Sequence, residues 1–229
     1  MTLASQALTT NILTKGNFTL GIGVMHKPVI ENTFNMHFDQ PLRHMTEYLD
    51  ILLPLLNQTP TKVRGTTFSY DGSLDVPEAT GCDVMLAALG PKMLRLCAER
   101  TSGTILWMTG PKTIREKIIP TLKESQTKKT LRVAAMLPIF ITDDMVVGKR
   151  IAAKTYALYA QMPSYRKMLN EEGMKNPEDY VLVGSEETVL EALSNYRAAG
   201  ITDCGIQISP SQDRERAMNF IGDLPKIFA

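Results

Sequence analysis

Cysteine and histidine are scarce in this chain, with three of each. Cys82, Cys97 and Cys204 are far apart, and no CxxC or Cys/His cluster has metal-ligand spacing. This argues against a disulfide framework or a metal site and fits a reducing, cytoplasmic compartment. No charge sign dominates either: 25 Lys and Arg face 24 Asp and Glu, a formal charge of +1. Such a balance leaves no electrostatic footprint for nucleic acid and no acidic tail. Long apolar runs are also missing. The stretch Leu49–Leu56 is broken by Asp50 and Pro54 and is too short to cross a bilayer, so no membrane partner is expected. The opening MTLASQALTTNILTK lacks a basic region and a continuous apolar core, so a signal peptide is not expected. What remains is 229 residues, 44% hydrophobic and 21% charged, the composition of an ordinary soluble globular chain large enough to bury a core.

The apolar pattern alternates between strand and helix. Thr2–Thr14 reads as a helix ended by Lys15-Gly16-Asn17, and Phe18–Val24 as a buried strand running into a Gly-rich loop. Asp39 is a candidate N-cap for a long helix with Leu42, Met45, Leu49, Leu52 and Leu56 on one face. Residues 61–77 hold short β-like pieces, with Asp71-Gly72 as a turn. A strand is expected at Asp83–Ala88, a helix at Pro91–Thr101, a strand at Thr104–Met108 and a helix at Lys112–Lys123. Lys123–Lys129 reads as a mixed-charge turn, followed by a β-rich run from Leu131 to Ile141. Asp143 or Asp144 caps a helix whose inward face is Val147, Ile151, Leu158 and Met162. Ser164–Glu172 reads as a short helix. Ser185, with Glu186 and Glu187, starts a helix with Val189, Leu193 and Tyr196 inward. A strand at Ile201–Ile208 and a helix at Gln212–Ile221 follow. Five principal strands alternating with helices imply βαβ units and a parallel sheet, with no composition break between domains.

One short motif recurs. GPKMLR at 90–95 and GPKTIR at 110–115 each follow a strand and open a helix. Proline suits a first helical turn, and the free N–H groups behind it, near Lys92 or Lys112, make an anion-friendly helix end. Plain helix-start chemistry explains the motif equally well, and neither copy is a P-loop. Other residues also carry two readings. His26, after the Gly-rich loop, can contact a ligand or sit solvated. His44 reads as structural. Trp107, the single tryptophan, can stack on a ring or fill the core. The 13 methionines read as core filling or as a forgiving apolar pocket. Cys97 and Cys204 read as small buried hydrophobes.

Six stretches carry a family resemblance: FTLGIGVMHKPVIE (18–31), FDQPLRHMTEYL (38–49), LAALGPKMLRLCAERTSGTILWMTGP (86–111), LPIFITDD (137–144), MPSYRKML (162–169) and VGSEETVLEALSNYRAAGITD (183–203). In this order the chain resembles the luciferase-like monooxygenase superfamily, flavin- and deazaflavin-dependent oxidoreductases built on a (β/α)8 TIM barrel. The resemblance is strongest to the subgroup that uses coenzyme F420, with FMN as the alternative. It implies an α/β chain, residues 1–229, forming one barrel-type domain that binds its cofactor at the carboxyl ends of the strands. By resemblance, Gly23, Met25 and His26 lie beside the ring system or its linker. Ala88, Leu89, Gly90 and Met93 receive the phosphate, and Thr109 and Gly110 lie one strand further along. Residues 163–166 resemble an insertion on the substrate side. A small organic substrate and a homodimer are implied.

The resemblance also departs from the family. A (β/α)8 barrel takes about 250 residues. Matched by motif, Met1 falls within the family's third helix, and three strands and two helices have no counterpart. The expected fold is therefore an incomplete barrel, about five strands of eight plus a short β excursion. No catalytic residue carries over. The strands near 18–24 and 201–208 are expected to be edges. A fragment of a longer enzyme or a non-catalytic flavin-binding remnant stands beside the active oxidoreductase as an alternative.

Overall fold

Helices and strands alternate through the computed structural model, which describes residues 1–125, 130–209 and 212–228. Residues 126–129 of the mixed-charge stretch lie outside the described residues. Internal contacts divide the chain into two units, Met1–Thr104 with Glu124–Leu131, and Ile105–Lys123 with Arg132–Ala229.

The first unit begins with α1 (Thr2–Leu13) and β1 (Thr19–Ile22). Asn11, buried on α1, accepts a hydrogen bond from the Phe18 N–H and so holds the helix against the start of the strand. Only Leu20 of β1 is buried, so the strand is less covered than its apolar sequence suggests. A short helix, α2 (Lys27–Asn32), follows with no buried residue. The long helix α3 (Pro41–Leu56) buries Met45, Leu49, Leu52, Leu55 and Leu56, close to the apolar stripe in the sequence. Its N-cap is Gln40 in the left-handed region (φ 46°), not Asp39, because Pro41 already occupies the first helical position.

Two strands, β2 (Thr61–Arg64) and β3 (Ser69–Gly72), form an antiparallel hairpin. Its turn is residues 65–68, and Asp71-Gly72 lies inside the second strand. The displacement has a tertiary cause: Glu47 of α3 accepts hydrogen bonds from the N–H groups of Thr66, Thr67 and Phe68 at 3.0, 2.7 and 3.0 Å. That carboxylate also fills the space a side chain at Gly65 would need. β4 (Asp83–Ala87) pairs in parallel with β1, from Thr19 opposite Asp83 to Ile22 opposite Leu86. α4 (Pro91–Arg100) buries Leu94, Leu96, Cys97 and Ala98. The next strand, β5 (Gly103–Trp107), starts in this unit, where the Thr104 hydroxyl donates to the Leu86 carbonyl at 2.9 Å.

The second unit contains α5 (Pro111–Thr113), a π-helical turn at Ile114–Ile118 and all but the last two residues of α6 (Ile119–Ser125). Pro120 has no N–H to return to the preceding turn, which accounts for the widened π stretch. The ten-residue strand β6 (Arg132–Ile141) is followed by α7 (Met145–Tyr156), capped by Asp144, whose carboxylate accepts from Val146 and Val147 N–H. α7 buries Gly148, Ala152 and Tyr156, while Leu158 beyond its end is 60% exposed. The inward face is thus one residue on from Val147 and Ile151. Gly148 packs so close to Val183 and Thr142 that a methyl group there would collide with them, so the small residues face the sheet.

A 3₁₀ helix (Ala157–Gln161) leads to α8 (Pro163–Glu172). β7 (Leu182–Gly184) is a three-residue strand that the sequence reading omits. α9 (Glu186–Ala198) is capped by Ser185 and buries Val189, Leu193 and Tyr196 as its periodicity predicts. β8 (Asp203–Ile208) and α10 (Arg214–Phe228) complete the unit. β6 pairs in parallel with both β7 and β8. Cys204 on β8 is exposed rather than buried, because side chains alternate along a strand and its neighbours Asp203 and Gly205 take the more covered positions. Among the described residues no helix is long and apolar enough to cross a membrane.

Candidate cofactor site

In the first unit, parallel pairing brings the carboxyl ends of β1 and β4 to one edge. Ile22 is level with Leu86, so Gly23 comes level with Ala87. A Cβ on Gly23 would stand 2.8 Å from that of Ala87, which explains glycine there. Met25, next along, is half exposed. His26 is half-buried, and burial lowers its pKa. Its backbone carbonyl starts α2 by accepting from Val29 and Ile30 N–H.

Ala88 is buried, Leu89 and Met93 are half-buried, and Gly90 is exposed. Gly90 is the N-cap of α4, with extended backbone, Pro91 at the first helical position and no acidic residue in the first turn. Among the described residues no side chain hydrogen-bonds to this helix end, and a Cβ on Gly90 would meet nothing within 4 Å. The Lys92 and Met93 N–H groups have no acceptor within the helix and sit at the positive end of its ten residues.

Thr109 and Gly110 belong to the second unit, where the other GPK copy has a different fate. Both residues are buried. The Glu172 carboxylate, at the end of α8, accepts from Lys112 N–H at 3.0 Å, Thr113 N–H at 2.8 Å and the Thr113 hydroxyl at 2.6 Å. It fills the space that a Gly110 side chain would occupy. This helix start already holds an anion, the protein's own. Glu172 is about 60 positions away in sequence, and no spacing rule pointed to it. The Thr109 hydroxyl donates to the Trp107 carbonyl at 3.1 Å.

The remaining candidates fall outside these two helix ends. His44 packs edge-on against Phe68, with ring centroids 4.7 Å apart, a structural contact. Cys97 is buried, its thiol donates to the Gly103 carbonyl, and burial pushes its pKa up, which makes it a poor nucleophile. Among the described residues no group of three or more His, Cys, Asp or Glu could hold a metal.

A sequence model of the luciferase-like monooxygenase family matches residues 1–203. The chain belongs to that family. It is 30% identical over 109 residues to the 5,10-methylenetetrahydromethanopterin reductase of Archaeoglobus fulgidus, a match covering 48% of this chain and 32% of that relative. The chain spans less than two thirds of the length of the first curated relatives it matches. Among solved structures it is similar to the coenzyme F420-dependent tetrahydromethanopterin reductase of Methanopyrus kandleri, with TM-score 0.78 and 19% identity over 98% of this chain and 78% of that one. It is also similar to a Streptomyces bottropensis monooxygenase, with TM-score 0.76 and 16% identity over all of this chain and 74% of that one. The fold of this luciferase-like chain is accordingly α/β and of the (β/α)8-barrel type.

Proposed function

We propose that this luciferase-like chain is a flavin- or deazaflavin-dependent oxidoreductase acting on a small organic substrate, with coenzyme F420 as its cofactor and FMN as the alternative. The observation that carries the reading is the open N-terminus of α4 at the carboxyl edge of the β1–β4 pair. It fits a phosphate group: unclaimed N–H donors, no acid in the first turn, and space at Gly90 for close backbone approach. Gly23, Met25 and His26 leave the same edge and form the wall offered to the ring system or its linker. Ala88, Leu89 and Met93 shape the phosphate end. The cofactor supplies hydride transfer or oxygen activation when bound; the chain's residues bind, orient and shield it. Thr109 and Gly110 are assigned a neighbouring place in the site by the family resemblance. Glu172 at that helix end favours α4 over α5 for the phosphate.

Residues 1–229 are read here as one barrel-type domain, cytoplasmic and dimeric. Support for association comes from residues 24–38, where no residue is buried and where Met25, Phe34 and Met36 are each at least half exposed. The deciding experiment is a fluorescence titration of the purified chain with FMN and with F420, alongside sedimentation. Saturable binding of one of them names the cofactor. A folded chain that binds neither removes the α4 site and leaves the reading as a fragment of a longer enzyme.

A further inference from the structure

The carboxyl ends of β5 and β8, with the end of α7, assemble an aromatic cluster in the second unit that the cofactor site does not use. Trp107, the last residue of β5, has its ring centroid 6.1 Å from Tyr156 and 5.9 Å from Tyr159, tilted at 53° and 59°. Trp107 and Tyr159 are only half-buried. The Trp107 indole N–H is enclosed with no hydrogen-bond partner among the described residues, a cost that a phenylalanine in a plain core would avoid. Beyond it, Met108 holds a left-handed backbone (φ 50°) although it is not glycine. Such strain gathers at ligand sites.

A directed polar group lies beside the cluster. The Tyr156 hydroxyl donates to Gln207 Oε1 at 3.2 Å. A carboxamide has one acceptor oxygen and two N–H donors. With its oxygen engaged, exposed Gln207 keeps both donors, and neither meets an acceptor among the described residues.

We infer that Trp107, Tyr159 and Gln207 form a binding subsite within the second unit, and that its ligand is a planar aromatic compound carrying a carbonyl or similar acceptor oxygen. The ring lies against Trp107 and Tyr159, and the oxygen accepts from the Gln207 amide. Tyr156 is a positioning residue that holds Gln207 in the donating orientation.

Trp107 is the single tryptophan, so its emission reports on the subsite directly, and the test needs no cofactor. The chain is titrated with acetophenone and with cyclohexyl methyl ketone, which has the same oxygen and no aromatic face. Calorimetry gives affinity, and Trp107 emission gives location. Acetophenone should bind about tenfold more tightly than the saturated ketone and shift Trp107 emission. Gln207→Leu, a change at an exposed position, should weaken acetophenone about five- to tenfold, and Tyr159→Ala should erase most of the preference for the aromatic ring. Circular dichroism checks that both variants fold. Equal binding of the two ketones, or acetophenone binding that leaves Trp107 emission unchanged, overturns the assignment, even if one variant fails to fold. Failure of FMN and F420 to bind leaves these measurements intact, so the two readings fail separately.

Discussion

Gly90 and Gly110 open the same three-residue motif, yet their surroundings differ, and so do the consequences of replacing them. Gly90 faces open space in a backbone conformation that any residue tolerates. Gly90→Ala should therefore leave stability within about 0.5 kcal/mol in urea unfolding. Gly90→Asp should instead weaken cofactor binding about tenfold, because a carboxylate then repels a phosphate at the helix N-terminus. Gly110→Ala should cost about 1–3 kcal/mol, since its methyl group overlaps the Glu172 carboxylate. Glu172→Ala should cost about 0.5–2 kcal/mol through loss of the cap. The double variant should cost less than the sum, because the second change removes the clash created by the first. Nothing in the motif distinguishes these glycines; the difference comes from Glu172.

At the level of elements, periodicity located helices well and their inward faces less well. The stripe on α3 is correct because its large apolar residues do the packing. Leu52→Ala should destabilise by about 2–5 kcal/mol. The helix at 145–156 breaks the rule. Its contact face is built from Gly148 and Ala152, small residues that let the helix come near the sheet, so the larger Val147 and Ile151 turn partly outward. Leu158→Ala, at a position the periodicity would place inside, should change stability by less than about 0.5 kcal/mol. The β2–β3 hairpin depends on a distant charge. Hydrogen bonds from Phe68, opposed by some desolvation and reinforced by those from Thr67 and Thr66, lower the Glu47 pKa below its usual 4.5. A carboxylate with a lowered folded-state pKa stabilises above its ordinary pKa, and that contribution is lost as pH falls through the folded value. Amide protection at Thr66–Phe68 should thus drop below about pH 4.5, and Glu47→Gln should make it low and independent of pH there.

Across the whole molecule, titration sets a stability window with two different edges. On the acid side, hydrogen bonds from Arg216 lower Asp143 and bring Glu186 to about 2, while those from Arg132 lower Asp203. Arg216 joins the loop after β6 to the start of α9, with contacts of 2.6–3.0 Å to Glu186 and Asp143. Their stabilisation is present above about pH 4.5 and disappears as the pH falls toward 2. On the alkaline side, burial raises Tyr165 to about 12 and also raises Tyr180 and Tyr196. Phenols with raised folded-state pKa values stabilise fully below about pH 10, and that contribution is lost as pH climbs through the folded values. Thermal unfolding from pH 2 to 11 should show a plateau with losses at both ends, and Arg216→Met should reduce the acid-side slope.

The order of helices and strands, the two GPK helix starts and the family were legible from residues alone, because apolar periodicity and local cap chemistry act within a few positions of the chain. The resemblance motifs likewise kept their order from one end to the other. The identity of the hairpin turn, the anion already held at α5, the open end of α4, the face on which α7 packs and the Trp107–Gln207 cluster were decided by tertiary structure. All of these but the open α4 end depend on partners from about 20 to 100 residues apart in sequence, such as Glu47 with Thr67 or Trp107 with the Tyr156–Gln207 pair. Such pairs satisfy buried polar groups and fill close-packed space, requirements that exist only once the chain has folded.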